Sequence, residues 1–241
     1  MEVYMQKAIN ELKLWDKKMS KKPFINIDIA KGLQNKMNSF IPEKAHEIIT
    51  MGIKNMVKGV LIGSEFSTKP PLTNATLKER EEKVLNKLDF YKKTATISGA
   101  GTGAGGFFVG LADFPILLGI KIKFLFDTTS LYGFDVKNYK ERLYILYIFQ
   151  LAFSSKERRL EIYKYIRNWN IYAKSLPQDI NDFNWRKFQQ EYRDYIDLAK
   201  TLQLVPGIGA VVGAVANYKL MNKLGETSMN SYRLRMFKDI L

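Results

Sequence analysis

Apolar residues recur along this chain mainly at intervals of three and four, the spacing of helices rather than strands. Met5, Ala8, Ile9, Leu12, Trp15 and Met19 form the first stripe, on a helix whose end carries Lys17, Lys18, Lys21 and Lys22 before Pro23. Charged Glu2, Lys7, Glu11, Lys13 and Asp16 interrupt it, so it does not read as a signal peptide. Pro23 and Pro42 bracket a short helical segment, Phe24 to Ile41, followed by a helix with Ile49, Ile53, Met56, Val57 and Val60 inward. Ser67 to Ala75, with Pro70 and Pro71, reads as a loop. Thr76 and Glu79 then form a capping box, opening a helix with Leu77, Val84, Leu88 and Tyr91 on one face and charge on the other. Asp135 is the expected N-cap of the next helix, which carries Leu143, Leu146, Tyr147, Phe149, Gln150 and Phe153, and Gly133 suits the C-terminal cap of the helix before it. Ser154 with Glu157 is a second capping box, opening a helix to about Lys174, and Pro177 marks a break. Helices over about Asn184–Leu204 and Glu226–Ile240 complete the chain, and no Asn-Gly or Asp-Gly hairpin turn occurs. The expectation is an all-α fold, one domain over residues 1–241, with about eight to ten helices.

Two stretches break the amphipathic pattern. Residues 94–120 hold Asp113 as the only charged side chain among glycines and apolar residues, and Val205 to Asn217 is a second small-residue run. Three explanations compete. Gly101, Gly103 and Gly106 fit G-x-G-x-x-G, with Thr94–Ile97 and Lys121–Phe126 as available strands and Asp127 about twenty residues on, so a dinucleotide-binding unit is formally open. Alternatively, the four-apart pairs Gly101/Gly105, Gly106/Gly110 and Gly209/Gly213 each lie on one helix face and let another backbone approach closely. That reading predicts two Gly-rich central helices packed together. The third is lipid: residues 94–120 are long enough to cross a bilayer, but Asp113 and Pro115 sit inside.

Charge narrows the partners. There are 38 Lys/Arg against 24 Asp/Glu, a net of +14 that draws the chain to something negative. Residues 1–93 hold 18 basic and 11 acidic residues, a net of +7, and the remainder holds the other +7, so there is no basic arm. No helix-turn-helix, RRM, KH or zinc module is recognisable, so nucleic acid is not the expected partner. The absence of cysteine excludes disulfides, Cys-ligated metals and Cys nucleophiles. His46, the one histidine, stands near Glu43 and Glu47 without forming HExxH; neither a P-loop nor a G-x-S-x-G elbow is present, and no metal or cofactor is expected.

Longer motifs carry a resemblance. ELKLWDKKMSKKP at the N-terminus, IPEKAHEIIT, IKNMVKGVLIGSEF, the central GAGTGAGGFFVGLADFPILLGIKIKFLFD, Leu131 to Asp135, VPGIGAVVGAVANY and Tyr232 to Arg235 together resemble the EcsC protein family over nearly the whole chain. The run around Ala112-Asp113-Phe114-Pro115 is the specific part. The family takes its name from the third product of a bacterial operon that also encodes an ABC transporter's ATPase and membrane subunit. The resemblance implies a helical fold, a bacterial protein on the cytosolic side, and a genomic tie to ABC export. It implies no reaction.

The polar residues worth testing follow from chemistry. A carboxylate inside an apolar stretch is costly unless paired, so Asp113 is a functional candidate or the cap of a helix that Pro115 opens. Arg233 and Arg235 suit a buried carboxylate such as Asp113, or a phosphate, with a solvated helix face as the equal alternative for at least one of them. Tyr132 and Asp135 flank the Gly133 turn, and Asn217 is placed to bridge backbone groups. Trp15, Lys17, Lys18, Lys21 and Lys22 form a membrane-surface candidate if the first helix is interfacial rather than docked on the core, and Lys121 and Lys123 could snorkel to headgroups. The expected function is a non-enzymatic accessory protein of an ABC-type exporter, touching its ATPase or membrane subunit, cytoplasmic and peripheral on the anionic inner membrane face. The alternatives are a hydrolase of lipid or peptide using Asp113, and a nucleic-acid-binding protein.

Overall fold

The computed structural model of the protein describes residues 2–21, 43–62, 68–103, 114–154, 156–179, 182 and 210–237. Among them the regular structure is eight α-helices and no strand: α1 (Glu2–Ser20), α2 (Glu43–Ile62), α3 (Leu77–Gly103), α4 (Phe114–Leu131), α5 (Tyr139–Phe153), α6 (Lys156–Arg167), α7 (Trp169–Ser175) and α8 (Ala210–Met236). The all-α expectation holds. Thr94–Ile97 and Lys121–Phe126 lie inside α3 and α4, which removes the dinucleotide-binding unit. The predicted helices over 24–41 and 184–204 fall outside the described residues, as does the Glu157 side chain of the second capping box.

The longest helices, α3 and α8, run antiparallel and make the most extensive interhelical contact. Three pairs set their register: Glu81 with Arg233, Leu88 with Gly225, and Lys92 over the Tyr218 ring. A Cβ on Gly225 would stand 2.5 Å from a Leu88 methyl, so this glycine is where the backbones close. That contact also bears on a correction. The last helix starts at Ala210 rather than near Glu226 and runs unbroken through Gly225, where it packs on Leu88. Of the glycines expected to pack helices together, Gly101 and Gly213 lie within α3 and α8, whereas Gly105, Gly106, Gly110 and Gly209 lie outside the described residues.

Helix α5 is buried from Tyr139 to Phe153 except at Lys140, its long apolar run from Leu143 to Phe149 forming the centre of the core and Glu141, Arg142 and Gln150 buried with it. Helices α2, α4, α6 and α8 surround it. Helix α4 packs antiparallel to α3 and ends in a Schellman motif: the amide of Gly133 (φ +92°) donates to Ser130 O and that of Phe134 to Thr129 O. The Thr76–Glu79 box forms as expected, the Thr76 amide reaching Glu79 Oε2 at 2.7 Å and the Glu79 amide reaching Thr76 Oγ1 at 3.3 Å. Asp135 is not the N-cap of α5. Its carboxylate accepts from the Lys137 amide, and Asn138 caps the helix by accepting from Lys140. The shift follows from the turn after Gly133, which Asp135 stabilises before the helix begins.

The α1 stripe docks inward: Ala8, Ile9, Leu12, Trp15 and Met19 are buried, while Met5 stays exposed. Trp15 is 3% exposed and meets the Tyr163 ring edge-on at 5.4 Å. It therefore has no role at a membrane surface, because α6 covers the face that a bilayer would need.

Candidate functional site

The densest polar constellation lies inside the helical bundle. Glu81 follows Leu77 by four residues and precedes Val84 by three, so it sits on the apolar stripe of α3 and is fully buried. Arg233 grips it with two charge-assisted bonds, Nε to Oε1 at 2.7 Å and Nη2 to Oε2 at 2.6 Å. Tyr132 donates to Oε1 at 3.0 Å and Tyr4 to Oε2 at 2.7 Å. The remaining guanidinium nitrogen reaches Glu11 Oε2 at 2.9 Å and Asn230 Oδ1 at 3.3 Å. Burial works against the Arg233 charge, but the Glu81 contacts outweigh it and raise the pKa. Burial, then the bond to Glu81, pushes Tyr4 up to about 12, and burial raises Tyr132 as well, so both phenols remain donors at neutral pH. The knot ties α1, α3, α8 and the α4–α5 turn together, and each Glu81 oxygen accepts two bonds. Such a fully satisfied network holds the helices in register.

A second ion pair lies close by. Arg235, in the last turn of α8, makes parallel bonds of 2.6 and 2.8 Å to Glu141, and its guanidinium stacks 3.7 Å from the Phe134 ring centre. Both arginines thus meet buried carboxylates, as their chemistry predicts, but the partners are Glu81 and Glu141. Asp113, the partner expected from sequence, lies outside the described residues. Tyr132 joins the knot. Asn217 reaches a side chain: its Oδ1 accepts from Lys121 Nζ at 3.0 Å.

Lys121 also departs from expectation. It does not snorkel: it is fully buried, bonded to Asn217 and, at 3.4 Å, to Leu117 O, and burial pulls its pKa down to about 7. It faces α8 because a position four residues after Leu117 falls on the inner face of α4. Lys123, two residues on, is partly buried and hydrogen-bonded to Asp127. Lys17, Lys18 and Lys21 are exposed, and Lys22 lies outside the described residues.

The surface carries an arrangement that no local spacing announces. The antiparallel α3, α4 and α8 and the N-terminal half of α2 bring four exposed apolar side chains to one end of the bundle: Ile97 (73% exposed), Met51 (62%), Ile116 (57%) and Val215 (47%). Gly52 lies against Phe114, which puts Met51 level with the start of α4. Lys54, Lys93 and Lys219 stand within about one helical turn of these positions. Lys92 lies over Tyr218, and among the described residues the acidic ones nearby are Glu47 and Asp89, the latter paired with Lys92; Asp113, three residues before Ile116 in sequence, lies outside them. Residues 94–112 and 201–218, which carry no charged side chain, adjoin these positions in sequence.

Among the described residues no cluster of His, Cys, Asp and Glu is fit to hold a metal ion, and no helix is long and apolar enough to cross a membrane. The sequence model of the EcsC protein family matches residues 6–237. The chain is 44% identical to Protein EcsC of Bacillus subtilis strain 168 over 239 residues, covering 99% of this chain and 97% of that protein. It is 28% identical over 252 residues to the uncharacterized protein YdbA of the same organism, covering 96% and 92% of the two chains. No solved structure matches it.

Proposed function

The chain belongs to the EcsC protein family, and we propose that it is a non-enzymatic accessory protein seated peripherally on an anionic cytoplasmic membrane face, in the service of an ABC-type exporter. The observation that carries the membrane half is the end of the bundle where Met51, Ile97, Ile116 and Val215 are exposed beside Lys54, Lys93 and Lys219. An apolar tip with a basic collar is the arrangement that partitions to the boundary between headgroups and acyl chains. Each apolar side chain moved out of water contributes up to about 1.5–3 kcal/mol, and each lysine near an anionic surface about 1 kcal/mol. Those sums suit reversible surface binding. The net charge of +14 favours the same anionic leaflet. The link to an exporter rests on the operon for which the family is named.

The test is flotation of the full chain with vesicles of phosphatidylglycerol and phosphatidylcholine in equal parts, against phosphatidylcholine alone. Binding to the anionic vesicles is expected at low salt, and Ile97→Asp is expected to abolish it without changing the melting temperature, because Ile97 is exposed. A chain that ignores anionic vesicles, or an Ile97→Asp variant that binds as well as wild type, refutes the reading.

A further inference from the structure

At the end away from that apolar tip, the segment over 68–76 lies against the N-terminal part of α3 and the C-terminal end of α4. Its Leu72 amide donates to Ser130 O at 2.8 Å, and Arg80 clamps it by donating to Leu72 O and Leu131 O at 2.6 and 2.9 Å. The result is an open cleft of about 600 Å³, a volume in the range of small-molecule sites. Pro70, Leu72, Leu131 and the exposed Phe90 supply its apolar wall.

Its polar wall is one-sided. Lys69, Lys83, Lys87 and the Asn86 amide line it, with Asp127 at the base. Asp127 is already committed: it accepts from Tyr91 at 2.9 Å, pairs with Lys87 at 3.0 Å and is hydrogen-bonded to Lys123. Burial alone would raise its pKa, but the bonds from Lys123, Lys87 and Tyr91 hold the carboxyl below its usual value, so it is fully ionised at neutral pH. Its single charge is shared between two ammonium groups. Lys69 and Lys83 are exposed, and Lys83 has only the long-range attraction of Glu79, one turn back on α3. Three lining lysines (Lys69, Lys83 and Lys87) against one lining aspartate leave an excess of two positive charges around a partly open, apolar-walled space, with Glu79 one helical turn before Lys83.

We propose that this cavity binds a phosphate group carried on a small apolar or aromatic body. Lys69 and Lys83 meet the phosphate oxygens as flexible point charges, the Asn86 amide donates a hydrogen bond, and Phe90 with Leu72 covers the organic part. The chemistry is shared by a phospholipid headgroup with its first acyl carbons and by a soluble phosphorylated metabolite. Phe90 stands seven residues, about 10 Å, from Ile97 along α3, so either source has access. The site stands on its own geometry and does not require the membrane reading.

The experiment is calorimetric titration of the full chain at low salt with two probes, dihexanoyl phosphatidylglycerol below its micellar concentration and glycerol 3-phosphate. Saturable binding of at least one is expected. Lys83→Glu, at an exposed position, is expected to weaken it about ten- to hundred-fold while the melting temperature is unchanged. Ile97→Asp is expected to leave it intact, which separates this site from vesicle binding. Binding of the lipid probe alone assigns the lipid source, and binding of glycerol phosphate equally well assigns a soluble one. No saturable binding of either, or binding indifferent to both Lys83→Glu and Lys69→Glu, overturns the proposal.

Discussion

Glu81→Gln is the sharpest probe of what holds the helices together. The substitution keeps the side-chain volume and removes one charge from a fully buried site. Arg233 is then left with Glu11, whose side chain is 47% exposed and whose attraction is correspondingly screened. Breaking one partner of a buried pair costs about 3–5 kcal/mol, and the residual Glu11 contact argues for the lower figure. At roughly 2–4 °C per kcal/mol for a chain of this size, the melting temperature should fall by about 6–12 °C. The assay is urea and thermal denaturation followed by circular dichroism and by tryptophan fluorescence, with coincidence of the two probes checked first. Arg233→Met should cost a similar amount. The double variant Glu81→Met with Arg233→Met should recover part of the loss, since two apolar side chains then replace a desolvated pair while the buried Tyr132 phenol loses its acceptor. Single variants each within about 1 kcal/mol of wild type, or strictly additive losses, would show that the knot is not an energetic unit.

Gly225→Ala places a methyl 2.5 Å from Leu88, which is itself buried; overpacking of about 1–3 kcal/mol should exceed the helix-propensity gain of about 1 kcal/mol, and a urea midpoint at or above wild type would refute the close approach of α3 and α8. Lys121 gives a pH signature. Its folded pKa of about 7 lies below the ordinary 10.5, so between those values the unfolded chain binds the extra proton and stability rises with pH. Lys121→Met should therefore be more stable than wild type at pH 7, with the difference shrinking by about 1.4 kcal/mol per unit toward pH 9; a constant difference would show that the amine is not desolvated.

Much of the helical frame was legible locally. The stripe from Ala8 to Met19, the Thr76–Glu79 box, the Gly133 cap and the apolar α5 are patterns set by backbone geometry within a few residues, and the structure reproduces each of them. Helix-boundary detail was less so: Asp135 and Asn138 are both good caps, and only the turn after Gly133 chooses between them. Glu81 carries a readable signal, a carboxylate at an apolar stripe position. Its partner has no such signal, because Arg233 is 152 residues away and no local spacing links them. The same limit explains Trp15 and Lys121. An amphipathic stripe states that one face must leave water, but not whether protein or lipid receives it; contact with α6 and α8 decided for protein. The exposed end formed by Met51, Ile97, Ile116 and Val215, and the lysine-lined cavity between α3 and α4, exist only because helix register brings distant residues level, and that register is a property of the folded chain.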